Sequence, residues 1–164
     1  MVHLMEEAMV VKAIPDAYAG GVPGLCVDKG AEAIELYKTV FGAEVTLRFD
    51  QPDGRLGHAE LKIGKALFSL SDEFPEYGTV SPKTLGGTPV KMHIYMEDVD
   101  AVVERALAAG MKLLRPVSDE FYGDRVGQLA DPYGHVWMIA THIEDVSAEE
   151  MYRRAAALFG STAG

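Results

Sequence analysis

Three side chains combine residue types and strand spacings that suit a metal ion: His93, His142 and Glu60. Imidazole nitrogens with a carboxylate oxygen are typical ligands of a transition metal, which would supply Lewis-acid chemistry in a lyase, a transferase or a dioxygenase. Each residue also has a structural interpretation, since His142 lies near a predicted strand end and Glu60 shares with His58 a face that fits a solvated sheet. A metal-dependent enzyme is therefore one of two function classes that stay open.

Other kinds of chemistry find less support. The single cysteine, Cys26, excludes an internal disulfide framework and a multi-cysteine metal site, and its apolar surroundings predict a buried, unreactive thiol. His135 lies in a DPYGH turn, where a structural role is predicted. The sequence contains no glycine-rich loop for phosphate and no Ser, His and Asp set that can be placed in one site. We therefore assign no catalytic residue.

Charge restricts the possible partners. The formal net charge of −10 argues against nucleic acid and anionic membranes, because binding phosphate needs clustered Lys and Arg. No apolar stretch approaches the ~20 residues that span a bilayer, and Glu6 and Glu7 stand where a signal peptide would carry positive charge. We expect a cytoplasmic protein whose partner is a neutral or cationic small molecule.

The elements that position these residues form an internal repeat. Residues 55–70 (RLGHAELKIGKALFSL) match residues 125–140 (RVGQLADPYGHVWMIA) in an Arg and two Gly, 70 positions apart. Before each copy lie a β-rich run, a run of helical period and a second β-rich run, in which Val45, Leu47 and Phe49 alternate as in a half-buried strand. The pattern predicts an α+β fold of two βαβββ modules.

Turn and capping signals divide the chain. Gly42 and Gly110 end the two module helices, and the capping box at Ser147 starts a C-terminal helix. The predicted parts are an N-terminal arm (1–20), a first module (21–71), a linker (72–89), a second module (90–146) and a C-terminal helix and tail (147–164).

Three segments carry a resemblance to a known family: LCVDKGAEAIELYKTVFGAEV, SDEFPEYGTVSPKTLGGTPVKMHIYMEDVD and GDRVGQLADPYGHVWMIATHIEDVSAEEM. They resemble the PhnB-like branch of the vicinal oxygen chelate superfamily, which includes glyoxalases, dioxygenases and bleomycin-type resistance proteins. The resemblance covers about residues 14–152. It implies that the two modules form a cup-shaped mixed sheet and that the protein is a homodimer.

The resemblance also implies where a metal would bind. Enzymes of the family hold a divalent metal through one side chain from the first strand and one from the last strand of each module. Carried over by position, these are Val22, Phe68, Lys91 and Met138. Because none of the four is a suitable ligand, we expect no metal and no cofactor, and glyoxalase, dioxygenase and fosfomycin-type chemistry lose support together.

The second function class is a metal-free binding protein of the bleomycin-resistance type, which sequesters a hydrophobic or aromatic metabolite or antibiotic. Strand parity places Phe68, Tyr95 and Met138 inside the cup, whereas Trp137 points the opposite way and packs under the helices. Aromatic residues of two loops are placed as lids over a flat ligand: Phe74 and Tyr77 in the linker, and Phe121 and Tyr122 in the late loop. The predicted ligand contacts are Phe68, Leu70, His93, Tyr95, Met138, Phe74 and Tyr122.

Overall fold

The computed structural model describes residues 11–18 and 20–160, so most of the predicted N-terminal arm and the end of the predicted tail lie outside the described residues. The first module consists of β1 (Gly24–Val27), α1 (Gly30–Phe41), β2 (Glu44–Asp50), β3 (Leu56–Ile63) and β4 (Ala66–Asp72). Its sheet has the order β1-β4-β3-β2, with β1 parallel to β4 and the other pairs antiparallel.

A linker with a 3-10 helix (Pro75–Tyr77) and a short α-helix, α2 (Pro82–Leu85), leads into the second module. This module contains β5 (Lys91–Tyr95), α3 (Val99–Ala108), β6 (Lys112–Asp119), β7 (Asp124–Ala130) and β8 (Val136–His142). Its sheet repeats the first topology, in the order β5-β8-β7-β6, and α4 (Ala148–Phe159) follows. The α+β fold of two βαβββ modules with a C-terminal helix is confirmed.

Local sequence signals account for the helices. In α1 the buried Ala33, Ile34 and Tyr37 recur on one face, and Gly42 ends the helix with a left-handed φ of 65°. The helix α3 begins at Asp98, whose carboxylate accepts a hydrogen bond from the Ala101 amide at 3.0 Å. Among the described residues no helix is both long and apolar enough to cross a bilayer.

The two modules share one hydrophobic core between their helix-bearing faces. The fully buried Trp137 of β8 packs against Phe41 of α1, with 4.6 Å between ring centroids, and against Tyr37 at 4.9 Å. The Asp131 carboxylate accepts hydrogen bonds from the Tyr37 hydroxyl at 2.7 Å and the Trp137 indole at 2.9 Å. The predicted core position of Trp137 is confirmed, and Asp131 joins one module to the other.

The strand β2 differs from its prediction. Every residue from Glu44 to Asp50 is exposed, and Leu47 and Phe49 are 50% and 59% exposed. The strand forms an edge of its sheet, so its side chains and its outer backbone groups have no cover within the described chain. A register shift lies between Val45 and Leu47. Val45 is opposite the buried Leu61, whereas Leu47 and Phe49 are opposite Glu60 and His58 of the other face. The three residues therefore do not share one face, and the expected burial is absent from the described chain.

Candidate functional site

Each sheet has one face against the helices and an opposite face, called the open face below. On β5 the buried Met92 and Ile94 point to the core, so Lys91, His93 and Tyr95 alternate onto the open face and are exposed. The predicted orientation of His93 and Tyr95 therefore agrees with the structure.

Phe68 and Leu70 do not lie on the open face, and their predicted place inside the cup is wrong. They are 0% and 1% exposed, and Phe68 contacts Tyr37 of α1 and Trp137 at centroid distances of 6.1 and 5.9 Å. They therefore belong to the shared core.

The cause is the length of one turn. Two residues, Gly64 and Lys65, join β3 to β4, whereas residues 131–135 join β7 to β8, so the 70-residue offset does not hold along the whole repeat. Phe68 lies opposite Leu61 just as Trp137 lies opposite Leu129. Phe68 thus corresponds to Trp137 and not to Met138, and a slip of one residue moves a side chain to the other face.

The observed register gives a direct test of the inferred metal positions. Across the parallel strands β5 and β8, the open-face neighbours are Lys91 with Val136, His93 with Met138, and Tyr95 with Ala140. Across β1 and β4 they are Gly24 with Ser69, and Cys26 with Ser71. None of these pairs contains a carboxylate. The donor set does not fit a divalent metal, and no group of three or more His, Cys, Asp and Glu in the described part of the chain is placed to hold one.

His93 and His142 are brought towards the same carboxylate, that of Asp124. The His93 ring stacks on Tyr95 with 5.1 Å between centroids, and the Tyr95 hydroxyl donates to Asp124 Oδ2 at 2.6 Å. His142 Nδ1 lies 2.7 Å from Asp124 Oδ1, and its Nε2 lies 2.9 Å from Asp145 Oδ1. Both ring nitrogens of His142 are thus occupied by carboxylates.

Glu60 does not join this cluster. It lies on β3 in the other sheet, where it accepts a hydrogen bond from the Tyr18 hydroxyl at 2.7 Å and lies 3.4 Å from His58 Nε2. The predicted set of His93, His142 and Glu60 is therefore not assembled within the described chain.

Asp124 is a site residue that sequence reasoning placed only in a polar loop. It is the first residue of β7 and is 4% exposed. Burial acts to raise its pKa, but hydrogen bonds from Tyr95 and His142 outweigh that effect and leave the pKa below its ordinary value. The same hydrogen bonds raise the pKa of Tyr95 and of His142. The cluster therefore favours an ionised Asp124 beside a protonated His142.

Two cavities lie where the β3–β4 turn meets β5. One has a volume of 470 Å³ and the other 350 Å³, and both are lined by Lys65, Ala66, His93 and Ile94. We call the two together the seam groove. The larger part adds Phe41, Tyr95 and Met96, and the smaller part adds Tyr18, Leu67 and Lys91. An apolar wall with a few polar groups is typical of small-molecule sites.

The other predicted contacts lie elsewhere. Met138 is half-buried beside His93 in the register but does not line the seam groove. The Arg55 guanidinium carbon lies over the Phe74 ring, 4.2 Å from the ring centroid. Tyr122 packs edge-on against Phe121. Neither residue lines the seam groove. A lid role for them stays a prediction.

Cys26 borders a separate cavity of 240 Å³ on the open face of the first module, with His58, Ser69 and Ser71. The thiol is half-buried, and desolvation, followed by the charges of Glu73 and Asp72, raises its pKa to about 11. A protonated thiol is a poor nucleophile, which agrees with the unreactive cysteine that was predicted.

Comparison with known proteins places this geometry in a family. The family model of the Glyoxalase/Bleomycin resistance protein/Dioxygenase superfamily matches residues 17–139. Uncharacterized protein Mb0911c of Mycobacterium bovis is 39% identical over 132 residues, which cover 79% of this chain and 87% of the relative. Uncharacterized protein Rv0887c of Mycobacterium tuberculosis is also 39% identical over 132 residues, covering 79% of this chain and 78% of the relative.

Solved structures show the same fold. TioX from Micromonospora sp. ML1 is 26% identical with a TM-score of 0.59, over 76% of this chain and 100% of TioX. The fosfomycin resistance protein FosX from Listeria monocytogenes, solved with Mn(II) and sulfate, shares the fold at 16% identity and a TM-score of 0.59, over 84% of this chain and 98% of FosX. This chain belongs to the glyoxalase/bleomycin resistance protein/dioxygenase superfamily.

Proposed function

We propose that this protein binds a small apolar or aromatic molecule in the seam groove, without covalent chemistry and without a metal. The observation that carries the proposal is the stacked pair of His93 and Tyr95, which stands exposed on β5 beside the apolar Phe41 and Met96. An exposed aromatic pair next to an apolar wall offers a flat ligand both stacking and buried area.

The open-face pairs of the central strands support the metal-free part of the proposal. Where a divalent metal needs oxygen or nitrogen ligands, the chain has apolar side chains, Lys91 and small hydroxyl residues, with His93 as the single imidazole among them. The metal-dependent alternative loses support because Glu60 lies in the other sheet and His142 already has both nitrogens against carboxylates.

On this basis we assign the protein to the binding proteins of the bleomycin-resistance type and, within the superfamily, to the PhnB-like branch. The second assignment is supported by the GDRVGQLADPYGHVW segment, which supplies Asp124, β7 and the β7–β8 turn. In this role the protein sequesters a hydrophobic metabolite or an antibiotic in the cytoplasm.

We further propose that the protein is a homodimer. The exposed Leu47 and Phe49 of the edge strand β2 are the support, because exposed apolar side chains on an edge strand favour pairing with another chain. A second copy of the chain is the partner that the family resemblance implies.

Substitution of Tyr95 tests the groove. The neutral aromatic probe N-phenylnaphthylamine is titrated while its fluorescence is followed. Tyr95→Ala removes the ring and should weaken binding by ~1 kcal/mol, about fivefold, through lost stacking. Tyr95→Phe keeps the ring and should bind within about twofold of the original protein. Equal affinity of all three proteins would show that the probe binds somewhere other than the seam groove.

A further inference from the structure

The seam groove carries a local charge opposite to that of the molecule. The chain has 25 acidic and 15 basic residues, yet the described residues that line the smaller part of the groove include Lys65, Lys91 and His93 and no carboxylate. Glu97 borders only the larger part. The nearby Glu60 does not line the groove and accepts a hydrogen bond from Tyr18.

Ion pairs involve half of the eight lysines in the described chain, and the two groove lysines are not among them, nor are Lys62 and Lys112. Lys12, Lys29, Lys38 and Lys83 each pair with a carboxylate. Within the described residues, Lys65 and Lys91 make no ion pair. Lys65 occupies the two-residue β3–β4 turn and Lys91 begins β5, so two separate elements each contribute a lysine to the lining of one cavity.

We propose that the ligand of the seam groove is an organic anion, an aromatic ring system that carries a carboxylate. The anionic group lies in the smaller part, between Lys65 and Lys91, and the ring lies in the larger part against Tyr95 and Phe41. This inference rests on the proposed function, and it reverses the partner charge that the net charge of the chain favours. Two cations that form no ion pair in the described chain attract an anion locally, because salt screens the charges that lie farther away.

The test compares two fluorescent probes with nearly the same ring system. Anilinonaphthalene sulfonate carries one negative charge and stands in for the aromatic carboxylate, whereas N-phenylnaphthylamine is neutral. The Lys65→Met, Lys91→Met double variant removes both charges and keeps the apolar stems. Lys112→Met is the matched control, since Lys112 is also an exposed lysine without an ion pair in the described chain, but it lies on β6 and does not line the groove.

We expect the sulfonate probe to bind more tightly than the neutral probe and to lose about tenfold in affinity in the double variant, within the range of two exposed ion pairs. Added salt should weaken the binding of the sulfonate probe and leave the binding of the neutral probe unchanged. The neutral probe should bind the double variant unchanged, which shows that the groove is intact, and Lys112→Met should bind both probes normally.

Two other outcomes have distinct meanings. If the neutral probe binds but the sulfonate probe is indifferent to both lysines, the anion site is overturned and the proposed apolar binding stands. If neither probe binds the original protein, the proposed function and the anion site both fail.

Discussion

His142 is held with each ring nitrogen against a carboxylate, Asp124 on one side and Asp145 on the other. The hydrogen bond with Asp124, and then that with Asp145, raises the pKa of His142 above its ordinary 6.5. A carboxylate only accepts hydrogen bonds, so the arrangement stabilises the doubly protonated ring. The result is a charge pair that anchors the end of β8 and the first residue of β7.

A raised pKa in the folded state has a defined consequence for stability. The contribution of His142 is fully present below pH 6.5, the ordinary pKa, and is lost as the pH rises through the raised folded value. We therefore expect the difference in free energy of unfolding between the protein and a His142→Gln variant to shrink as the pH rises above 6.5. Urea unfolding over a pH series measures it, and a difference that stays constant or grows would refute the assignment.

Asp131 joins the two modules through its buried carboxylate. It is 6% exposed, and besides Tyr37 and Trp137 it accepts hydrogen bonds from the backbone amides of Tyr133 and His135 at 2.9 Å. Sequence reasoning recognised the DPYGH turn but gave no sign that its first residue reaches a helix 94 positions away. Only the packing of the two modules brings these groups together.

We expect Asp131→Ala to lower the free energy of unfolding by ~3 kcal/mol or more, because the Tyr37 hydroxyl and the Trp137 indole stay buried without an acceptor. Urea unfolding followed by tryptophan fluorescence measures the change. Asp100→Ala is the control, since the Asp100 carboxylate is 55% exposed and pairs with Arg125 on the surface, where the expected loss is about 0–1 kcal/mol. Losses of equal size would contradict a special role for Asp131.

The helices and strands divide into those that the sequence specifies and those that it does not. The helices α1, α3 and α4 carry their stop and cap signals locally, in Gly42, Asp98 and Ser147, and they form where the pattern predicts. The strand β4 also forms where the pattern predicts it. Which of its side chains face the core depends on the number of residues in the preceding turn. A constant 70-residue offset between the modules ignores the different lengths of the two turns. It therefore assigns Phe68 to the wrong face of the sheet.

The site was predictable in the same uneven way. His93 and Tyr95 were found because alternation along β5 is regular. The sequence predicts Lys65 only as part of a turn and Phe41 only as a residue on the core face of α1. Both residues line the groove beside β5 through tertiary packing. A single sequence offers no local signal for such a contact.

The assembly of the protein is tested through β2. Light scattering at micromolar concentration should give about twice the monomer mass of 17.8 kDa, because the apolar open face of β2 needs cover. A Phe49→Glu variant should shift the mass towards the monomer by burying a charge in the interface. Tyr77→Glu is the control, since Tyr77 is 83% exposed in the linker and should leave the mass unchanged. A mass near 17.8 kDa for the original protein would refute the dimer.

The binding of a ligand without a metal is tested most directly by measuring metal content and probe affinity on the same sample. The protein is purified without a histidine tag, its metals are determined by elemental analysis, and N-phenylnaphthylamine is titrated before and after EDTA treatment. We predict far less than one metal ion per chain and an affinity that EDTA does not change, because the open-face pairs of β1 with β4 and of β5 with β8 contain no carboxylate, and no group of three or more His, Cys, Asp and Glu among the described residues is placed to hold a metal. Stoichiometric zinc, nickel, iron or manganese, together with probe binding that EDTA abolishes, would contradict the proposal.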